Sequence, residues 1–234
     1  MILERKKNQS HQRYYINGKQ LPGASSIASY ASTPRAVKAL QNWHFELGEK
    51  GIDYKRHLDD LADSGTLAHY LIECDLVGFE RDPEYLAEFT KNQIDRAETA
   101  LIKYYEWRDH YEVKPILHEK QFVSLEYRFG GTLDIFADVR EIHTTQWLHT
   151  LIDIKTCKAI YGNDDSKWAQ LGGYDILALE NGLAVDECRI LRAGRSEEEG
   201  FEYALSRRRE DQRKRFIKCR ELYEINSALS RRAA

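Results

Sequence analysis

Between residues 115 and 155 the pattern changes from helical toward a period of two, in three successive strand-like runs, 115–127, 132–139 and 147–155. A period of two marks strands, so the middle of the chain is committed to a sheet. A helical pattern over about 165–180 follows, then strands at 187–191 and 201–205 separated by the acidic turn Ser196-Glu197-Glu198-Glu199-Gly200, and a last helix over about 208–229. Ahead of the sheet the pattern is helical. Asn17-Gly18 makes a two-residue turn in a short hairpin over 14–22. Thr33-Pro34 starts a helix with Ala36, Val37, Leu40 and Trp43 as its apolar stripe, ended by a loop at 48–51. A further helix covers 54–62, Gly65 opens another that carries His69 and Glu73 as far as Gly78, and Asp82-Pro83 starts the longest, running to about His110. Residues 1–111 therefore read as a hairpin and helical lobe, and 112–234 as a sheet core with a closing helix. The class is α/β, in one compact unit.

Strand alternation concentrates the acidic residues. In Leu151-Ile152-Asp153-Ile154-Lys155 the carboxylate of Asp153 and the ammonium of Lys155 share one face. In the run before it, Leu133, Ile135, Ala137 and Val139 are expected on one face and Asp134 and Asp138 on the other. If these two runs pair as a hairpin, Asp134 and Asp153 converge on a site of oxygen ligands suited to Mg2+ or Mn2+, with Lys155 beside it. An Asp-x-Lys step alone is more often a solvated ion pair worth about 0–1 kcal/mol. Its company gives it weight here: Glu119 upstream, chosen over Glu112 and Glu126, and Gln170 and Tyr174 four residues apart on the following helix.

Five short motifs occur in one order: Gly65-Thr66-Leu67-Ala68-His69, Glu119, Gly131-Thr132-Leu133-Asp134, Asp153-Ile154-Lys155-Thr156 and Gln170-Leu171-Gly172-Gly173-Tyr174. Together, over residues 60–180, they resemble the RecB-type and phage exonuclease branch of the PD-(D/E)XK nuclease superfamily, more distantly similar to lambda exonuclease. The resemblance implies a restriction-endonuclease-like core, a mixed central sheet flanked by helices, with an N-terminal helical lobe. It implies Asp134, Asp153, the backbone carbonyl of Ile154 and His69 as ligands of Mg2+ or Mn2+, and Glu119 as a second-shell or second-metal carboxylate. Lys155 would be the catalytic lysine, and Gln170 and Tyr174 would orient it or the nucleic-acid backbone. Asp134 follows Leu133 where the superfamily often has proline. The activity implied is a metal-dependent DNA exonuclease of recombination, repair or phage DNA processing. The alternatives are an inactive nucleic-acid-binding partner of a recombinase or helicase, and a structure-selective endonuclease.

Composition narrows the partners. The formal net charge is −3, yet residues 205–234 hold ten Lys or Arg against four Asp or Glu. Such asymmetry points to a polyanion, although a charged terminal helix taken alone is more often a solvated face laced by i,i+4 ion pairs. Arg207, Arg208 and Arg213 are the expected phosphate contacts there, joined by Thr66 and by Lys167 and Trp168, which with Tyr161 could form a wall for stacked bases. DNA, single-stranded or at duplex ends, is the expected partner, with a recombinase or single-strand-binding protein as a further one and a homo-oligomer left open. No apolar run approaches a membrane span and no signal core follows the basic start, so a cytoplasmic protein is expected. Cys74, Cys157, Cys188 and Cys219 lie far apart with no C-x-x-C pair, the pattern of reduced thiols, and no iron-sulfur cluster is expected.

Overall fold

A computed structural model of the chain describes residues 2–3, 13–160 and 166–232, with side chains to Ser230. Two short strands, β1 (Tyr14–Ile16) and β2 (Lys19–Leu21), pair antiparallel across Asn17 and Gly18, both at positive φ, as an Asn-Gly hairpin turn requires. The helices α1 (Ala24–Ala28), α2 (Pro34–Glu49), α3 (Tyr54–Val77), α4 (Pro83–Leu86) and α5 (Lys91–Arg108) follow. The sheet is built from β3 (Tyr111–Ser124), β4 (Phe129–Glu141), β5 (Leu148–Lys155), β6 (Glu187–Ala193) and β7 (Phe201–Leu205), side by side in that order. The pairs β3-β4, β4-β5 and β6-β7 are antiparallel. Only β5-β6 is parallel, and α6 (Ser166–Glu180) spans the crossover that a parallel pair demands. Helix α7 (Arg209–Arg232) closes the fold.

The five-stranded mixed sheet separates two apolar clusters. On one side, Ile135, Ala137, Val139, Ile152, Ile154, Leu191 and Ala193 pack with Leu67, Tyr70, Leu71 and Ile72 of α3 and Ala97, Leu101, Tyr104 and Trp107 of α5. On the other, Phe129, Leu133, Phe136, Leu151, Cys188 and Ile190 pack with α1, α6 and Phe216 of α7. The helices ahead of residue 111 thus share a core with the sheet. Fully burying a side chain such as Leu71 or Phe216 contributes about 1.5–3 kcal/mol, so each cluster is a substantial source of stability.

Three expectations are corrected. Leu133 packs with Phe129 and Phe136 and not with Ile135, Ala137 and Val139, and β4 is buried on both faces, so alternation does not divide it into one apolar and one polar side. Residues 54–77 form one helix rather than two. Asp53 caps it, accepting from Arg56 N at 2.8 Å, Gly78 ends it at φ 70°, and Gly65 lies inside it. The long helix expected from Asp82 to about His110 is broken. Asp82 caps only α4, and Thr90 starts α5 with a capping box in which Thr90 and Gln93 exchange bonds between side chain and backbone. Gln93 also donates to Asp60 and Asp63, fixing α5 against α3.

Glycines set the closest approaches. A Cβ on Gly172 would stand 2.5 Å from the Gln212 carbonyl oxygen, and one on Gly173 2.6 Å from the Phe216 ring, so the Gly-Gly pair of α6 is the notch into which α7 settles. Asp175, 1% exposed, receives Arg209 and Arg213 of α7 at 2.7 Å each.

Candidate metal centre

A cleft of about 1190 Å³ opens where α3, the β1-β2 hairpin, the middle of β3 and β4 and the C-terminal part of α7 meet. Helix α3 presents Ala62, Gly65, Thr66, His69 and Glu73, a stripe at the spacing of one helical face. It lies so near the end of β5 that a Cβ on Gly65 would be 2.9 Å from Thr156 Oγ1. Two more glycines shape the floor. Gly130 leaves room for the Tyr14 ring, which would stand 2.1 Å from a Cβ there, and Gly131 for Tyr174 and Leu177 of α6. Tyr14 then bonds Thr132 Oγ1 at 3.0 Å and Gly130 N donates to Pro22 O, seating the hairpin as a wall of the cleft.

Strand β3 supplies both His118 and Glu119. Successive strand residues point to opposite faces. Both reach the cleft because Glu119 stands at φ 44°, the left-handed region that a non-glycine residue seldom enters. The ladder runs from His118↔Ile135 to Lys120↔Leu133 and skips Glu119 opposite Asp134. Backbone strain of this kind costs about 1–3 kcal/mol and clusters where chemistry is done.

His69, Glu119 and Asp134 come together: His69 Nδ1 is 3.8 Å from Glu119 Oε1 and 3.8 Å from Asp134 Oδ2, and one donor atom of each lies within 4.8 Å of the others. These separations suit ligands around one cation rather than direct hydrogen bonds. Asp134 Oδ2 also accepts from Ile154 N at 2.7 Å, which ties the carboxylate to the end of β5 at the residue whose carbonyl is an expected ligand. Asp153 stands outside the three-residue group among the described residues. It is 1% exposed, its Oδ1 accepts from Lys155 Nζ at 2.8 Å, and its Oδ2 has no hydrogen-bond partner among the described residues.

The charges are strongly interdependent. Burial pushes the Asp134 carboxyl up to about 7, helped by Asp153 and Glu119 and opposed by His69. Burial works against the His69 imidazolium, but Asp134 and Glu119 outweigh it and raise its pKa. The same balance holds at Lys155, where burial opposes the ammonium and Asp153 and Asp134 raise its pKa. Tyr174, which lines the cleft, is kept a phenol by burial and by the two aspartates, and its oxygen accepts from Gln170 Nε2 at 2.6 Å.

The residues expected to contact nucleic acid are dispersed. Thr66 lines the cleft. Trp168 is 3% exposed in the α6-side core, so no base can stack on it, and Tyr161 lies outside the described residues. Lys167 is not among the cleft residues. Arg213 is held by the buried Asp175, Arg208 pairs with Asp211 along the helix, and Arg207 is exposed away from the cleft. The basic residues that do line it are Arg13, Lys19, Arg128 and Arg220, with Tyr223 one turn beyond Arg220. The spacing of Arg220, Tyr223, Glu224 and Ser227, one face of α7, was the available signal. Glu112 pairs instead with Arg140 and Asp138 with His149, both outside the cleft. No protein-family model matches the chain, and no curated protein matches it.

Proposed function

We propose that the chain is a Mg2+- or Mn2+-dependent deoxyribonuclease, an exonuclease of DNA recombination, repair or phage DNA processing. The observation that carries this reading is the gathering of His69, Glu119 and Asp134 within 4.8 Å in an open cleft, with Asp153 and Lys155 at the adjoining strand end. One imidazole nitrogen with carboxylate oxygens is a donor set for Mn2+ or Mg2+, and the unpartnered Oδ2 of Asp153 is a buried acceptor that asks for a positive neighbour. A cation held there supplies Lewis-acid polarisation of the phosphoryl group.

The remaining work falls to the chain itself. Hydrolysis joins a water oxygen to phosphorus and breaks the bond from phosphorus to the leaving sugar oxygen. The water gives up a proton and the leaving oxygen gains one. Lys155, held by Asp153 and kept charged, offsets negative charge that develops on the phosphate. Tyr174, fixed by Gln170, can donate its phenolic hydrogen to a backbone oxygen of the substrate. Arg13, Lys19, Arg128 and Arg220 give the strand a phosphate-contacting rim.

End-labelled single-stranded DNA incubated with Mg2+ or Mn2+ tests the reading. Lys155→Ala is expected to slow release of label by about 10³-fold, the scale of losing a charge-stabilising group. Equal release by the variant, or none from any DNA form by the wild type, overturns the proposal. A circular substrate left intact separates an exonuclease from an endonuclease.

A further inference from the structure

Helix α3 and strand β3 exchange two histidine–carboxylate pairs crosswise. His69 of the helix faces Glu119 of the strand, and His118 of the strand bonds Glu73 of the helix, Nδ1 to Oε1 at 2.7 Å. Only the first pair belongs to the three-residue donor group. The second lines the same cleft and has an asymmetric exposure, with Glu73 6% and His118 36% exposed. His118 reaches the cleft beside Glu119 because of the left-handed step at Glu119. A regular strand would turn one of these two side chains away.

A carboxylate can only accept, so the 2.7 Å contact places a hydrogen on Nδ1 and leaves Nε2 as the ring nitrogen that can address the cleft. A carboxylate behind an imidazole fixes both tautomer and ring orientation. We propose that His118 is a catalytic residue whose Nε2 orients the attacking water, and that Glu73 is the positioning residue that holds its ring. This rests on the nuclease reading of the cleft. Water can meet Nε2 as donor or as acceptor, so the arrangement does not depend on the charge of the ring. Helix and strand would then each supply one cation ligand and one member of the pair that orients the water, Glu73 through the His118 ring, from residues four apart on α3 and adjacent on β3.

Two measurements test it. Long-range 1H–15N correlation of the His118 imidazole in the metal-free protein is expected to show hydrogen on Nδ1, and Glu73→Ala is expected to abolish that preference. A neutral wild-type ring carrying its hydrogen on Nε2 overturns the proposal. In the end-labelled digestion, His118→Ala is expected to lower kcat by about 100-fold, the cost of a misplaced reacting group, with KM and Mn2+ affinity unchanged. His118→Gln, which keeps a bond to Glu73 without a ring nitrogen in the cleft, should show the same loss and guards against a variant that fails to fold. The double variant Glu73→Ala/His118→Ala should be no slower than His118→Ala alone, because Glu73 acts through the ring. Additive losses overturn the assignment. So does a fall in Tm with kcat unchanged, since the pair would then only clamp α3 to β3. A wild type that cleaves nothing removes the nuclease reading and this inference together, whereas an active wild type with a slow Lys155→Ala and a fast His118→Ala removes this inference alone.

Discussion

Helices α3 and α7 are both 24 residues long, yet they spend their charged residues in opposite ways. Helix α7 is the basic one, and by charge count it is the obvious surface for a polyanion. Most of its cations are committed within the protein. Arg209 and Arg213 enclose the buried Asp175, Lys214 pairs with Glu210 and Lys218 with Glu221, and Arg208 just ahead of the helix pairs with Asp211. Helix α3 is mixed in charge, but it brings His69 and Glu73 to the cleft on a stripe with Gly65 and Thr66. The contrast separates charge that is present from charge that is presented. Arg209 and Arg213 anchor the helix and cannot also be offered to a ligand, whereas Arg220 farther along it reaches the cleft.

The largest expected effect that bears on this contrast is at Asp175. Asp175→Ala should cost about 3 kcal/mol, because it strands two partly buried guanidinium groups, and for a chain of this size that lowers Tm by roughly 6–12 °C. Thermal unfolding followed by circular dichroism checks it, and a near-neutral result would mean that α7 is held by Phe216 and the glycine notch alone. The next effect belongs to α3 and its partners. The Asp134 carboxyl and the His69 imidazolium both have raised pKa values in the folded chain. Groups raised on folding contribute stability at low pH that is lost as pH climbs through the folded pKa. The Tm of the metal-free protein should therefore fall as pH rises from about 5 to about 8, on the order of 5 °C, and Mn2+ should restore more of it at the upper end. Asp134→Asn should flatten the profile. The smallest effect returns to α7: Arg208→Ala should change stability by no more than about 0.5 kcal/mol, because its exposed pair with Asp211 is solvent-screened, and should leave DNA affinity in a fluorescence anisotropy titration unchanged. A clear loss of affinity would return α7 to the role its composition suggested.

Elements with strong local signals were legible in the sequence. The strand at 201–205 has the bounds that alternation gives it, and Asn17-Gly18 marks its hairpin. What was lost depends on distant neighbours. Thr90 and Gln93 spell a capping box inside what reads as one apolar helix, and Gly65 reads as a break when its smallness serves contact with Thr156, 91 positions away in the chain. The candidate site was legible in parts. His69, Glu119 and Asp134 were singled out from residue type and order, and Asp153, expected among the same donors, lies outside the three-residue group with one oxygen on Lys155 and the other without a hydrogen-bond partner among the described residues. Alternation could not reveal His118 as a cleft residue, because a regular strand hides it from the face of Glu119 and only the left-handed step shows it. Trp168 illustrates the converse error, an aromatic read as a platform that tertiary packing buries.

The bond between Tyr14 and Thr132 joins positions 118 apart. A contact of that separation pays a large loop-closure entropy and forms late relative to a ladder such as β3-β4. The hairpin wall of the cleft thus rests on residues remote in sequence from the strand that seats it, so loss of the Tyr14 contact would open the cleft without breaking a rung of the five-stranded ladder. A fragment beginning at residue 112 would keep Glu119, Asp134, Asp153 and Lys155, and would lack His69, the wall that Tyr14 seats and the helices that cover one face of the sheet.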